Sequence, residues 1–214
     1  MIIRGLLLLT ALAPIIGINL AYWIGVQYAS LPECIPYIDG CTSISSTGRY
    51  PPGDRLFRAV MLPQAVLLTV TWYLTALWLR AQQPDVRHIT TILVGGIGGA
   101  AALILYVSYL ASNDPFYEIM RRSGIYFYFV LTALAQIVTT LSMGRSRLRS
   151  VMLFIMAMPF VLGFYNFFQK AMLGNRGDLE NSIEWIVSLL MQVWFICLWL
   201  AWRRSRFELV AKTG

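Results

Sequence analysis

The sequence TTILVGGIGGAAALILYVSYLAS, residues 90–112, establishes the class of this protein because none of its 23 residues is charged. An α-helix of about 20 apolar residues crosses the roughly 30 Å hydrocarbon core of a bilayer. In lipid, every backbone polar group must find a partner within the protein, so this run predicts a membrane-spanning helix. Gly95 and Gly99 lie four residues apart within it, a spacing that predicts a face for close packing against another helix.

Five further apolar runs have a similar length and predict the same structure. The chain is 58% hydrophobic and only 13% charged, whereas soluble domains carry about 25% charged residues. We therefore predict an all-α, multi-pass membrane protein with a single transmembrane domain, residues 1–214. The N-terminal run resembles a signal peptide, but it continues to Tyr28, which favours an uncleaved first span. The six predicted spans are approximately 5–28, 56–79, 90–112, 123–143, 150–169 and 182–202.

The distribution of Lys and Arg predicts the orientation of the chain. Ten of the 17 basic residues fall on one side of the predicted spans, in very short loops, and seven fall on the other side. Short loops rich in Lys and Arg remain cytoplasmic. Both termini are therefore predicted to be cytoplasmic, with the long loop 29–55 outside. The sequence leaves the membrane open between plasma membrane, endomembrane and, in a prokaryote, the bacterial inner membrane.

Several classes of site are disfavoured by composition and position. The net charge of +7 comes from residues at span ends, and neither a basic stripe nor a motif for nucleic acid is present. His88 is the only histidine, which excludes a multi-His zinc site. The pattern Gly96-x-Gly98-x-x-Ala101 matches a dinucleotide fingerprint, but it lies in the middle of a span rather than between a strand and a helix. We predict no metal, no cofactor and no nucleic-acid partner.

The longest polar interval is CIPYIDGCTSISSTGRYPPGDRLFR, Cys34–Arg58. Long loops fixed by proline often carry function, although this one could also be a simple connector between two spans. Cys34 and Cys41 bracket a short turn that is predicted to lie outside the cytosol. We predict a disulfide between them, with two free thiols as the alternative. The loop is dense in hydroxyls, which belong to Thr42, Ser43, Ser45, Ser46 and Thr47.

The residues ISSTGRYPP at 44–52, followed by Leu56-Phe57-Arg58, carry a family resemblance. They are similar to the first-loop signature of the FRAG–DRAM–SFK family, which reads Ile-Ser-Asp-Thr-Gly, a few residues, Pro-Pro and then Phe-Arg entering the second helix. Ser46 stands where that family has Asp, and Glu184-Trp185 at the start of the last span is a second similarity. The family includes GPI-anchor lipid-remodelling factors, the N-terminal domain of the fungal Cwh-type cell-wall protein and the damage-regulated autophagy modulators.

The resemblance implies six helices and, in the best-known branch, remodelling of the acyl chains of GPI lipids. In such a protein the outer loop would cap a lateral cavity and hold a lipid headgroup. If acyl transfer occurs, a loop hydroxyl of Ser45, Ser46 or Thr47 could be the nucleophile or a substrate contact. The catalytic residues stay open, because the family's Asp is absent at position 46 and the sequence does not show which carboxylate replaces it.

Polar residues at the loop-side ends of the spans complete the predicted site, because ionisable residues near lipid mark functional positions. Arg58 and Glu184 could form an ion pair that closes the bundle, or grip a headgroup phosphate. The alternatives are interfacial anchoring and, for Glu184, a favourable position near a helix N-terminus. The candidate lipid-binding residues are Ser45, Ser46, Thr47, Arg58, Asp114, Asn166 and Glu184.

Three functions are compatible with these patterns, and they leave open whether the protein is an enzyme. The first is the binding and remodelling of a membrane lipid in an outer-leaflet cavity. The second is a non-catalytic scaffold or regulator of a partner membrane protein, which the lack of a recognisable nucleophile–base pair favours. The third is a small transporter or channel, which is disfavoured because the spans show no repeated pair of broken helices and few mid-membrane charges.

Overall fold

A computed structural model of the protein describes residues 2–83, 87–110, 114–174 and 177–207. Six helices in this described part are long and apolar enough to cross a membrane, which confirms an all-α, multi-pass membrane protein. The orientation of the termini stays a prediction. The helices are α1 (Ile2–Gln27), α2 (Pro36–Asp39), α3 (Ile44–Thr47), α4 (Gly53–Gln82), α5 (Ile89–Ser108), α6 (Pro115–Ser142), α7 (Arg147–Leu173) and α8 (Gly177–Arg204).

Most of the spanning helices extend beyond the predicted spans. Helix α6 begins at Pro115, well before the predicted residue 123, because the Asp114 side chain accepts a hydrogen bond of 2.8 Å from the Phe116 N–H. The Ser146 side chain caps α7 in the same way. Capping residues begin a helix in polar sequence, which hydropathy cannot detect. Helix α5 is instead shorter than its predicted span, because it ends at Ser108 whereas the span was predicted to extend to residue 112.

The core of the bundle is built around aromatic side chains of α4 and α8. The ring of Trp72 lies 5.8 Å from that of Trp194 and 5.5 Å from that of Phe195, and all three side chains are buried. Gly96 of α5 lies directly against the Trp72 indole, where a Cβ atom would clash. A glycine at this position is therefore required for α5 to approach α4.

A second face of α5 packs closely against α6. A Cβ atom on Gly95 would lie 3.0 Å from the Leu131 carbonyl oxygen, and one on Gly99 would lie 2.6 Å from the Thr132 hydroxyl. Gly124 of α6 completes this contact, since a Cβ there would lie 2.7 Å from the backbone nitrogen of Tyr106. The predicted close-packing face of Gly95 and Gly99 is confirmed. Small residues let helix backbones meet in lipid, where van der Waals contact drives association.

Helix α7 is packed far more loosely than the others. In the most apolar stretch of α7, only 17% of the residues are buried, whereas in the corresponding stretches of α4 and α5, 50% are buried. It contacts α8 extensively but α6 only sparsely, and the side chains of Phe160, Phe164 and Phe167 are exposed. The bundle therefore leaves a gap between α6 and α7.

Candidate functional site

A cavity of about 800 Å³ occupies the gap between α6, α7 and α8. Its volume lies within the roughly 300–1,000 Å³ of typical small-molecule sites. The walls deep in the bundle are apolar and include Ile137, Met156 and Pro159. Tyr126 and Val130 line the cavity but are also largely exposed. The cavity therefore opens sideways, toward the surface of the bundle that faces lipid.

The loop between α1 and α4 covers one end of this cavity. The first turn of α3 lies against α8, where the Glu184 carboxylate interacts with the backbone N–H groups of Ile44 and Ser45 and with the Ser45 hydroxyl. Amides in the first turn of a helix have no partner within the helix, so a carboxylate there stabilises it. Glu184 therefore holds α3 in place over the cavity.

The first half of the loop is anchored to the same end of α8. The side chains of Asn181 and Ser182 donate to the carbonyls of Gly40 (2.8 Å) and Ile38 (3.2 Å). Gly40 adopts φ +59° and lies against the Asp178 backbone. A side chain at position 40 would be strained and would also clash. This turn is therefore shaped to fit α8.

Trp185 is the centre of the loop anchorage. Its indole N–H donates to the carbonyl of Thr42 over 2.9 Å, and the residue is buried. The rings of Tyr22 and Tyr37 pack edge-on against the indole at 5.9 and 5.1 Å. The Tyr22 hydroxyl also bonds to Pro32 and Cys34 of the loop. Glu184 and Trp185 are adjacent in sequence, and each secures a different part of the loop.

The disulfide predicted within the loop is confirmed. The sulfur atoms of Cys34 and Cys41 lie at disulfide distance, and the two Cα atoms are 6.5 Å apart. The bridge closes the turn that contains α2 and Gly40. A loop that is cross-linked and hydrogen-bonded to α8 has far fewer accessible conformations than a free connector of the same length.

A polar cluster lies beneath α3 at the capped end of the cavity. The hydroxyls of Ser45 and Tyr106 are 3.0 Å apart. Either hydroxyl can be the donor in this bond. Tyr106 comes from α5 and is buried, and its hydroxyl interacts electrostatically with Glu184, Arg49 and Arg121.

The rim of the cavity carries more positive than negative charge. Four of the lining residues are basic and two are acidic, which leaves a net formal charge of +2. Lys170 of α7 and Glu180 of α8 form a salt bridge across the mouth. Arg121 and Arg122 both approach Glu118, at 3.7 and 2.6 Å. The basic lining residues are Arg49, Arg121, Arg122 and Lys170, and the acidic ones are Glu180 and Glu184.

The structure brings three of the predicted site residues to the cavity, namely Ser45, Asn166 and Glu184. Ser46 and Thr47 do not line it. The Ser46 hydroxyl lies 3.0 Å from that of Ser43, the residue that caps α3. The buried Thr47 hydroxyl donates to the Ile44 carbonyl over 2.6 Å. Both side chains therefore stabilise the turn and do not face a ligand.

The two remaining predicted residues also lie away from the cavity. Asp114 caps α6. Arg58 lies near the start of α4, and within the described part of the chain it forms no salt bridge with Glu184. The Glu184 carboxylate is instead occupied by the first turn of α3. An ion pair between Arg58 and Glu184 is therefore not part of this fold.

Sequence reasoning missed the basic and aromatic members of the site. Arg49 lies inside the quoted signature, and Arg121 follows the start of a spanning helix, so both were visible as charges near lipid. Tyr106 lies within an apolar run, and nothing in the sequence distinguishes its hydroxyl from those of tyrosines at the interface. Its bond to Ser45 joins residues 61 positions apart.

The arrangement is suited to binding an amphiphile, because polar groups gather at one end of a cavity whose other walls are apolar. Within the described residues, no group of three or more His, Cys, Asp or Glu side chains is placed to hold a metal ion. Comparison of the chain with protein-family models, with curated proteins and with solved structures gives no significant match. The resemblance to the FRAG–DRAM–SFK family therefore rests on the loop and Glu184-Trp185 residues quoted above.

Proposed function

We propose that this protein binds a membrane lipid in the cavity between α6, α7 and α8, and that it is a lipid-handling protein. The observation that supports this most is the sideways opening between α6 and α7. A lipid in the bilayer could enter there without leaving the membrane. A water-soluble ligand would instead need an opening toward solvent at the capped end.

The gradient of polarity within the cavity supports one orientation of the lipid. Ser45, Arg49 and Arg121 lie at the capped end, and their hydroxyl and guanidinium groups can contact a headgroup. Met156 and Pro159 lie deeper and can contact an acyl chain. The headgroup is therefore expected under α3, with the chain running along the wall formed by α6 and α7.

If the protein is also an enzyme, we propose that it remodels the lipid that it binds. Of the candidate hydroxyls Ser45, Ser46 and Thr47, only Ser45 lines the cavity. Its hydroxyl interacts with the Glu184 carboxylate, and a carboxylate in that position can accept the proton of an attacking hydroxyl. Glu184 also interacts with the backbone N–H groups of Ile44 and Ser45, so the same carboxylate can serve to position the loop.

Lipid retention tests the binding proposal directly. Native mass spectrometry of the detergent-purified protein should show a bound phospholipid or glycolipid. Ala133 lines the cavity, so Ala133→Trp should fill it and abolish retention. Val94 of α5 is exposed and lies outside the cavity, and Val94→Trp is the matched control that should retain lipid. A lipid-free wild type, or equal retention in both variants, would contradict the proposal.

A second measurement separates catalysis from binding. The purified protein is incubated with a phospholipid that carries a labelled acyl chain, together with an unlabelled lysophospholipid acceptor. Transfer of the label, lost in Ser45→Ala, would support remodelling. Retention of lipid without transfer would favour the alternative of a non-catalytic scaffold or regulator that uses the lipid as a structural partner.

A further inference from the structure

We infer that the bound lipid carries an anionic, phosphate-containing headgroup without a cationic substituent, and that Arg49 and Arg121 bind its phosphate. This inference rests on the proposed lipid site and specifies its ligand. It follows from the state of the two guanidinium groups and from the way the neighbouring charges are already paired.

Arg49 is the residue that most strongly indicates an anion-binding site. Its guanidinium lines the cavity, and its Nε atom is buried without a hydrogen-bond partner. Within the described part of the chain, the Arg49 side chain makes no hydrogen bond or salt bridge. The Arg49 side chain as a whole is partly buried, and a poorly solvated charge without a partner is unfavourable. An anion in the cavity would supply the partner.

Arg121 faces the same space and is only weakly paired. Its side chain is 14% exposed, yet its contacts are long: 3.7 Å to Glu118 and 3.5 Å to the Leu110 carbonyl. Glu118 lies much closer to Arg122, at 2.6 Å. The positive charges of Arg49 and Arg121 also repel each other. Two adjacent guanidinium groups in a poorly solvated site are stabilised by an anion that both can contact.

The remaining charges at the rim do not neutralise this pair. The Glu184 carboxylate interacts with the first turn of α3 and with the Tyr106 hydroxyl, and within the described residues it forms no salt bridge with Arg49 or Arg121. Glu180 is paired with Lys170. The excess positive charge therefore belongs to Arg49 and Arg121.

Phosphate fits these two residues better than other anions of a lipid would. Guanidinium groups bind phosphate through pairs of parallel hydrogen bonds, and a phosphate has enough oxygen atoms for two such groups. An ammonium substituent on the headgroup would be repelled by a site with net positive charge. The site should therefore prefer phosphatidylglycerol to phosphatidylcholine when their acyl chains are identical.

Competition between these two lipids tests the inference. Protein reconstituted with equal amounts of both is analysed by native mass spectrometry for the lipid that remains bound. The wild type should prefer phosphatidylglycerol by about tenfold, the value of one charge-assisted hydrogen bond at the low end of its range. Arg49→Gln and Arg121→Gln should each reduce that preference toward parity. Arg55→Gln is the matched control, because Arg55 is exposed and does not line the cavity.

The possible results separate the two proposals. Retention of neither lipid would overturn the proposed function itself. Equal retention of both lipids by the wild type would leave the lipid site standing and overturn the headgroup inference. An unchanged preference in Arg49→Gln and Arg121→Gln would overturn the assignment of the phosphate to these residues.

Two further measurements exclude simpler explanations. Thermal unfolding in detergent should be unchanged in Arg49→Gln, since this side chain has no partner to lose, and Arg49→Lys should keep part of the preference. Glycerol 3-phosphate in large excess should not displace bound phosphatidylglycerol. If glycerol 3-phosphate did displace the bound phosphatidylglycerol, a soluble phosphate ester would be identified as the ligand and the lipid assignment would be overturned.

Discussion

The two sides of α6 are packed by opposite means. Toward α5, Gly95, Gly99 and Gly124 bring the two backbones into contact. Toward α7, the facing side chains are bulky, including Phe129 and Phe160, and a cavity separates the helices. Lipid is as apolar as the side chains, so burial alone does not drive helices together. The difference teaches that small residues determine where this bundle closes and that their absence leaves room for a ligand.

The two sides of α6 also differ in how they are shielded from water. The α5 side is sealed by direct backbone contact. The α7 side is covered at one end by the loop, which Glu184, Trp185 and the disulfide help to attach to α8. Substitutions on the closed side should therefore affect the whole fold, whereas substitutions in the loop should affect the cavity alone.

The strongest test of this difference between the two sides of α6 is to place a side chain where the backbones of α5 and α6 are in contact. Gly124→Leu should destabilise the fold by about 3 kcal/mol, because the new Cβ would meet the α5 backbone, which cannot move aside as a side chain can. Gly163→Leu in α7 is the matched control, since nothing lies within 4 Å of its Cβ position. Unfolding in detergent measures both. Similar losses at the two positions would contradict the contrast.

Removal of the disulfide tests the covered end. Cys34→Ser with Cys41→Ser should destabilise the loop by about 2 kcal/mol, the value expected for cross-linking a turn of this length. Trypsin cleavage after Arg49 should become faster, while unfolding of the spanning helices should change little. Cys197→Ser, at a buried free thiol of α8, is the control that should leave cleavage unchanged. Protection that survives loss of the bridge would show that α8 contacts alone hold the loop.

The contrast is sharpened by a smaller change at Glu184. Glu184→Gln keeps the shape of the side chain but weakens its bonds to the α3 amides by about 1.5 kcal/mol. Hydrogen exchange of the Ile44 and Ser45 amides should become about tenfold faster. Glu180→Gln should leave these amides unchanged, because Glu180 pairs with Lys170 and not with α3. Equal exchange in both variants would mean that Glu184 does not hold the loop.

The sequence predicted what depends on local pattern. The uncharged run 90–112 predicted a span, Gly95 and Gly99 predicted a packing face, and the spacing of Cys34 and Cys41 predicted a disulfide. The structure confirms all three. Each of these properties is determined within a few residues of chain, so no knowledge of the fold was needed.

The composition of the site could not be predicted in the same way. Arg58 and Glu184 were the obvious pair by charge and by position near the membrane surface, yet Glu184 binds backbone amides and Arg58 lies elsewhere. Backbone donors at a helix start are invisible in a sequence. The hydroxyl of Tyr106 likewise gains its role only because α5 ends under α3.

The loose attachment of α7 has a consequence for kinetics. A wall that shares few contacts with α6 could tilt outward with little loss of packing, while its more extensive contacts with α8 are kept. If the proposed lipid enters from the bilayer plane, its tail would then not have to pass through water. The rate of exchange would follow the thickness and lateral pressure of the surrounding bilayer rather than the aqueous solubility of the guest.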